Sequence, residues 1–285
     1  MRLYKSGLIN LGSRKIRSHK ILNTPKNKVF SCHNIDGILG VDIIKEFNWT
    51  IDYDKKILIM YPANHFPKKT KKMHELELEF QKNRSYVFLK LKDKKLRFLL
   101  DTGAGGFSNI SKKDYNLTSI DDYKQLSVQS ASIGVNGILT SSPAKIIQFP
   151  EVFSKQISLK PIIYYNNQKS TKIGNKLWDS TELFLSLKKK KLYNSKLKFN
   201  ETYSGYSCAV MFYKGKMRVV KIQENSILWN KGLRQGDEIL SFNGKKYNDF
   251  CSLDTYSRNL AKSGKSFEIE LINGDKFTVS RKSYF

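Results

Sequence analysis

Long apolar runs are missing from this 285-residue chain; none approaches the roughly 18 residues that a membrane span requires. The N-terminus, MRLYKSGLINLGSRKIRSHK, is basic but lacks the continuous apolar core of a secretory signal. Cysteine is scarce: Cys32, Cys208 and Cys251 have neither the number nor the spacing of a disulfide framework or a metal cluster. The four histidines, His19, His33, His65 and His74, are scattered without zinc-ligand spacing. Cys32-His33 has no third ligand close by, so neither metal nor cofactor is expected. Arginine is also scarce, at nine of the 51 basic residues.

That last shortage bears on the net charge of +26, which by itself points to nucleic acid. Arginine supplies most bidentate recognition of bases and phosphates, and here the charge is mostly lysine. The lysines run along the whole chain, and clusters such as Lys188 to Lys191 fall where strands should end. They read as solvated faces, so no specific nucleic acid partner is expected. Charge alone predicts only salt-sensitive DNA retention with little specificity. What the chain does contain, 40% hydrophobic residues and 12% aromatics, belongs to a folded protein long enough for two domains.

An internal repeat organises the first part. Residues 38–59 read ILGVDIIKEFNWTIDYDKKILI and residues 173–193 read IGNKLWDSTELFLSLKKKKLY. Setting Gly40 on Gly174, an offset of 134, aligns Ile43 with Leu177, Trp49 with Leu183, Ile51 with Leu185, Tyr53 with Leu187 and Leu58 with Leu192, without a gap. In each copy an apolar-Gly step opens a helical turn, then come a strand, a Lys-rich turn and a second strand.

Between the copies, HELELEFQKNRSYVFLKLKDKKLRFLLDTG predicts three alternating strands, the third running into Asp101. Further on, ASIGVNGILT carries Gly134 and Gly137 around a turn, the pattern of a mobile hairpin. From about Tyr203 the character changes. A hairpin is expected from Cys208–Phe212 and Arg218–Ile222, closed at Lys214-Gly215. A short helix over Asn225–Lys231, a strand over Glu238–Phe242 with an Asn243-Gly244 turn, a helix over Ser252–Ala261 and a last hairpin at Asn273-Gly274 should follow. The fold class is therefore mostly β.

As a bare tripeptide, Asp101-Thr102-Gly103 is ordinary β-turn chemistry. In the setting KLRFLLDTGAGG, however, it resembles the active-site loop of retropepsin-like aspartic peptidases. Leu39-Gly40 and Ile173-Gly174 resemble the apolar-Gly element that packs beside that loop in each lobe of the family. Gly134, Val135, Asn136 and Gly137 stand where the family has its flap. GLRQGDEILSFNG, from Gly232 to Gly244, is similar to a PDZ domain, and Gly205, Tyr206, Ser207 and Cys208 stand where such a domain binds a peptide carboxylate. Ser207 departs from the usual second glycine.

The resemblance implies residues 1–66 as the C-terminal remnant of a first peptidase lobe, 67–198 as a second lobe, and 199–285 as a PDZ domain. It also implies a bacterial protein and a cell-envelope location. In the family two carboxylates share one proton because both cannot ionise so close together. One activates water and the other hydrogen-bonds the peptide carbonyl. Asp101 would be one of the pair, Thr102 would tie the two loops together, and Gly103 would offer an N–H to the carboxylate.

The second aspartate is missing. No other Asp-Thr-Gly or Asp-Ser-Gly occurs, and the 134 offset puts Asp101's equivalent at position −33. Asp36-Gly37 lies too close to the apolar-Gly step to serve. Two sources are expected: upstream sequence, on which view this chain alone is inactive, or a homodimer partner as in viral retropepsins. The function expected is an aspartic endopeptidase whose PDZ domain selects substrate or partner C-termini. The alternative is an inactive PDZ-bearing peptide-binding scaffold that keeps a degenerate peptidase lobe.

Overall fold

Alternating apolar and polar residues produce strands along most of the chain, and the fold is mostly β. The computed structural model describes residues 2–5, 7–17, 20–23, 31–106, 108–118, 123–133, 139–165, 170–196, 198–200 and 202–285. No helix among them is long and apolar enough to cross a membrane.

The chain opens with a long hairpin that the sequence pattern had not separated from its surroundings. Strand β1 (Arg2–Lys5) pairs with β4 (Lys20–Asn23), and β2 (Leu8–Leu11) pairs with β3 (Arg14–Arg17), in one continuous antiparallel register. It turns at Gly12, whose φ of +56° suits glycine. After Gly40 comes the short helix α1 (Val41–Ile44), then β5 (Phe47–Asp52) and β6 (Ile57–Pro62).

The second unit begins with β7 (His74–Leu76), β8 (Leu78–Gln81), β9 (Arg84–Leu91) and β10 (Lys94–Leu100), and β8, β9 and β10 form an antiparallel meander. After the Asp101 loop come β11 (Ser108–Ile110), helix α2 (Lys112–Asn116), and the paired strands β12 (Gln125–Ile133) and β13 (Leu139–Gln148). Next are β14 (Val152–Ser154), β15 (Ile157–Lys160), β16 (Ile162–Tyr165) and β17 (Lys172–Ile173). A 3-10 turn (Asn175–Trp178), β18 (Glu182–Ser186) and β19 (Lys191–Asn194) close the unit.

The repeat is visible as structure. Helix α1 and the 3-10 turn occupy equivalent positions after Gly40 and Gly174. The β5–β6 register (Ile51 opposite Leu58) is reproduced in β18–β19 (Leu185 opposite Leu192). The copies meet edge to edge in the sheet β6-β5-β18-β19-β7. Thr50 lies opposite Phe184, its own equivalent, so a local twofold axis passes through that pair. The main core lies beneath, with Phe98, Ile110, Ile173, Trp178 and Leu192 among its fully buried members.

The C-terminal unit follows β20 (Lys198–Asn200) and contains β21 (Ser204–Tyr206), β22 (Cys208–Tyr213), β23 (Lys216–Gln223), helix α3 (Ile227–Asn230) and β24 (Glu238–Phe242). Helix α4 (Phe250–Ser263), β25 (Phe267–Leu271), β26 (Lys276–Val279) and β27 (Arg281–Ser283) complete it. The expected hairpins and strand are present. Helix α4 is longer at both ends than expected, because the Asp249 side chain caps its N-terminus and Gly264, at φ +69°, ends it. A second core, built from Cys208 to Val279, lies between these strands and α4.

The two cores are joined by a β-ladder. In β12, Val128, Gln129 and Ser130 pair with Gln223, Ile222 and Lys221 of β23, while β13 pairs with β16. The hairpin expected to be mobile therefore has a stem held on both sides. Its tip, Gly134 to Gly137, lies outside the described residues.

The spacing of the cysteines did not anticipate the disulfide between Cys32 and Cys251, whose Cα atoms are 5.1 Å apart. The two are 219 residues apart in sequence, and only the tertiary fold brings them together.

Candidate active site

Asp101 leaves the end of β10, where Phe98, fully buried, anchors the strand in the core. The loop would be free to move but for β17. That strand is threaded between β10 and β11, parallel to the first and antiparallel to the second. Leu99 and Leu100 lie opposite Lys172 and Ile173, and the Asp101 N–H donates to the Ile173 carbonyl at 3.0 Å. The apolar-Gly element thus sits directly against the aspartate loop, as the sequence reading expected. Gly174 follows, buried, and leads into the 3-10 turn.

Asn175 clamps the loop. Its backbone N–H donates to Ala104 O at 2.7 Å and its side-chain Nδ2 to Thr102 O at 2.5 Å. The Lys176 N–H adds a bond to Gly106 O at 3.2 Å. Asn175 is held in turn by Tyr53, which follows β5 of the first repeat and donates its hydroxyl to Asn175 Oδ1 at 2.9 Å. Burial, aided by the Asp179 carboxylate, pushes the Tyr53 phenol up to about 12, so it stays a protonated donor. The first repeat therefore supports the aspartate loop of the second.

Within the loop, Gly103 N–H donates to Asp101 Oδ1 at 3.2 Å. The other oxygen, Oδ2, meets Lys172 Nζ at 3.1 Å in a partly exposed ion pair. Thr102 is exposed, with no side-chain hydrogen bond among the described residues. Asp101, Thr102 and Gly103 are together, and the carboxylate meets solvent on one side. An open cavity of about 510 Å³ is lined by Arg97, Leu99, Lys112 and Thr171, but Asp101 does not line it. It is therefore not read as the cleft that would serve the carboxylate.

Lys172 and Asn175 were missed by sequence reasoning. The available signal was their position, flanking Ile173-Gly174 in the repeat. Replacing Asn175 by Ala removes one hydrogen bond to Thr102 O and leaves the Tyr53 hydroxyl without its acceptor. The cost should be about 1–2 kcal/mol. Amide exchange across residues 101–106 should accelerate in that variant, while exchange in the C-terminal core stays as in the parent.

In the C-terminal unit, Gly205 and Tyr206 lie in β21, which pairs with β27, and Cys208 begins β22. Tyr206 OH bonds the Leu260 carbonyl at 3.3 Å and the Lys265 carbonyl at 2.8 Å, fixing this segment to the C-terminal end of α4. Gly205 is not at positive φ, and a side chain there would meet only ordinary contact. Ser207 is buried and its carbonyl accepts from Gln223 N–H at 2.7 Å. Cys208 is buried, and burial pushes its thiol up to about 12. The four residues run from β21 into the start of β22. No family model, curated protein or solved structure matches this chain.

Proposed function

We propose that this chain belongs to an aspartic endopeptidase and contributes Asp101 as one half of a carboxylate dyad, with a C-terminal unit of PDZ type that binds peptide C-termini. The observation that carries the reading is the threading of β17 between the strands that flank the aspartate loop. It supports a catalytic role because it holds one carboxylate rigidly at the end of a buried strand. Peptide hydrolysis by two carboxylates needs such a pre-positioned group. Asp101 in its ionised form would take a proton from water as that water attacks the peptide carbonyl, while the second carboxyl donates a hydrogen bond to the carbonyl oxygen.

The second carboxyl must come from another aspartate loop. The β5–β18 twofold supports an arrangement with a facing lobe. On β19 the outer edge carries β7, whereas on the equivalent strand β6 no strand covers the edge among the described residues. There Ile57, Leu58 and Ile59 are 47%, 59% and 38% exposed.

Lys172 favours a second reading. Its ion pair with Asp101 occupies one oxygen that a dyad would use, as expected of a degenerate lobe kept as a scaffold for a peptide-binding unit. Comparing parent and Asp101→Asn in a mixed-peptide digest, read by mass spectrometry, separates the two. Cleavage lost in the variant supports the peptidase. Cleavage that persists unchanged overturns it, and peptide binding without cleavage in either form supports the scaffold.

A further inference from the structure

The disulfide lies at a place where it can act on the proposed peptide groove. Cys251 is in the first turn of α4, and both half-cystines are partly exposed. One turn on, Asp254 Oδ2 is 3.2 Å from His33 Nε2 and 2.6 Å from Arg258 Nε. Residues 32 and 33 thus hold the start of α4 by one covalent bond and one close polar contact. The end of the helix is held by Tyr206.

Helix α4 and β22 form the two walls of a gap. Val210, Met211 and Phe212 of β22 face Phe250, Leu253 and Asp254 of α4 around a cavity of about 40 Å³. That is little more than the volume of one water molecule and far less than an apolar side chain. Yet β22 pairs only with β23 among the described residues, so its edge beside α4 has backbone groups for one more strand. A strand-accepting edge is present, and the helix that forms the wall next to it is tied at its start to residue 32.

We propose that the Cys32–Cys251 disulfide is a redox-released strap that keeps the β22–α4 groove closed, and that its reduction admits an extended peptide. The proposal rests on the peptide-binding reading of the C-terminal unit. The reductant is a dithiol. One of its thiolates attacks a disulfide sulfur, forming a mixed disulfide and expelling the other cysteine as a thiolate, which takes up a proton. The reductant's second thiol then closes its own ring. Two electrons pass, leaving two protein thiols and one reductant disulfide. The remaining His33–Asp254 contact, partly exposed, is too weak to replace the covalent hold. Cys208, buried with its thiol pushed up to about 12, does not compete in the exchange.

The test uses the full chain in three forms: oxidised, reduced with dithiothreitol, and Cys32→Ser. The probe is an array of random decapeptides with free C-terminal carboxylates, beside the same peptides amidated. Retention should rise about ten-fold in the reduced and Cys32→Ser forms, because the binding-competent fraction rises. Amide exchange in Phe250–Asp254 should accelerate by a similar factor, about ten-fold. Equal retention in oxidised and reduced forms, or unchanged exchange, overturns the strap while leaving the peptide reading in place. Accelerated exchange with no retention in any form overturns the peptide reading, and the gating with it.

Discussion

For the proposed peptidase, replacing Asp101 by Asn is expected to lower peptide hydrolysis about 1,000-fold or more while leaving the fold intact. In that proposal a second aspartate loop would face the first. An amide cannot take the proton from the attacking water, and losing a positioned base of this kind typically costs two to four orders of magnitude. Asn matches Asp in shape. Its carbonyl oxygen can still accept from Gly103 N–H, and the β17 and Asn175 contacts to the loop are made to backbone atoms. What disappears is the Lys172 ion pair, whose partners are 24% and 29% exposed, worth about 1 kcal/mol or less at such exposure. The thermal midpoint should therefore move by only a few degrees. Steady-state hydrolysis and calorimetry on the same preparation check both halves. A loss of activity accompanied by unfolding would say nothing about chemistry. Unchanged activity with an intact fold would remove Asp101 from the mechanism.

Trp178→Ala should produce the largest loss of stability in the first two thirds of the chain. Trp178 is fully buried in the main core, at the end of the 3-10 turn whose first residue is Asn175. Its carbonyl accepts from both the backbone and the hydroxyl of Thr181, at 3.1 and 2.7 Å, so the backbone has little freedom to collapse into the vacated space. Truncating a buried tryptophan to alanine costs about 3–5 kcal/mol under such conditions. That is a large part of the 5–15 kcal/mol usual for a native protein. The unfolding midpoint of this unit should fall by about 10 °C. The C-terminal core, which draws on none of these residues, should change much less. Trp178→Phe should recover a good part of the loss. Unfolding monitored separately by exchange in the two units distinguishes a local effect from a global one.

These outcomes depend on features that differ in how far the sequence reveals them. Turn positions were legible because their chemistry is local. Gly215 and Gly274 lie at positive φ in the turns of the C-terminal hairpins, Gly244 in the turn after β24, and Gly232 and Gly264 at the ends of helices. Strand periodicity was legible because one face of each strand is buried, as in β10, where Leu96 and Phe98 are buried and Arg97 is exposed. The repeat was legible because each copy buries the same strand positions and pairs edge to edge with its twin across the Thr50–Phe184 axis. The aspartate loop was legible from a motif whose context is also local.

The tertiary structure alone decided the rest. Threading β17 between β10 and β11 brings Lys172 and Asn175 to Asp101 from some 70 residues away. Pairing β12 with β23 joins the hairpin stem to the C-terminal unit. Cys32 meets Cys251 across 219 residues of sequence. Periodicity reports which face of a strand is buried, but not which strand will lie beside it. That choice comes from packing and from hydrogen bonding between distant edges. The sequence by itself determined the element types, the repeat and the position of the single aspartate loop. Only the fold decided what surrounds that aspartate, because its neighbours are chosen by long-range pairing that no local pattern encodes.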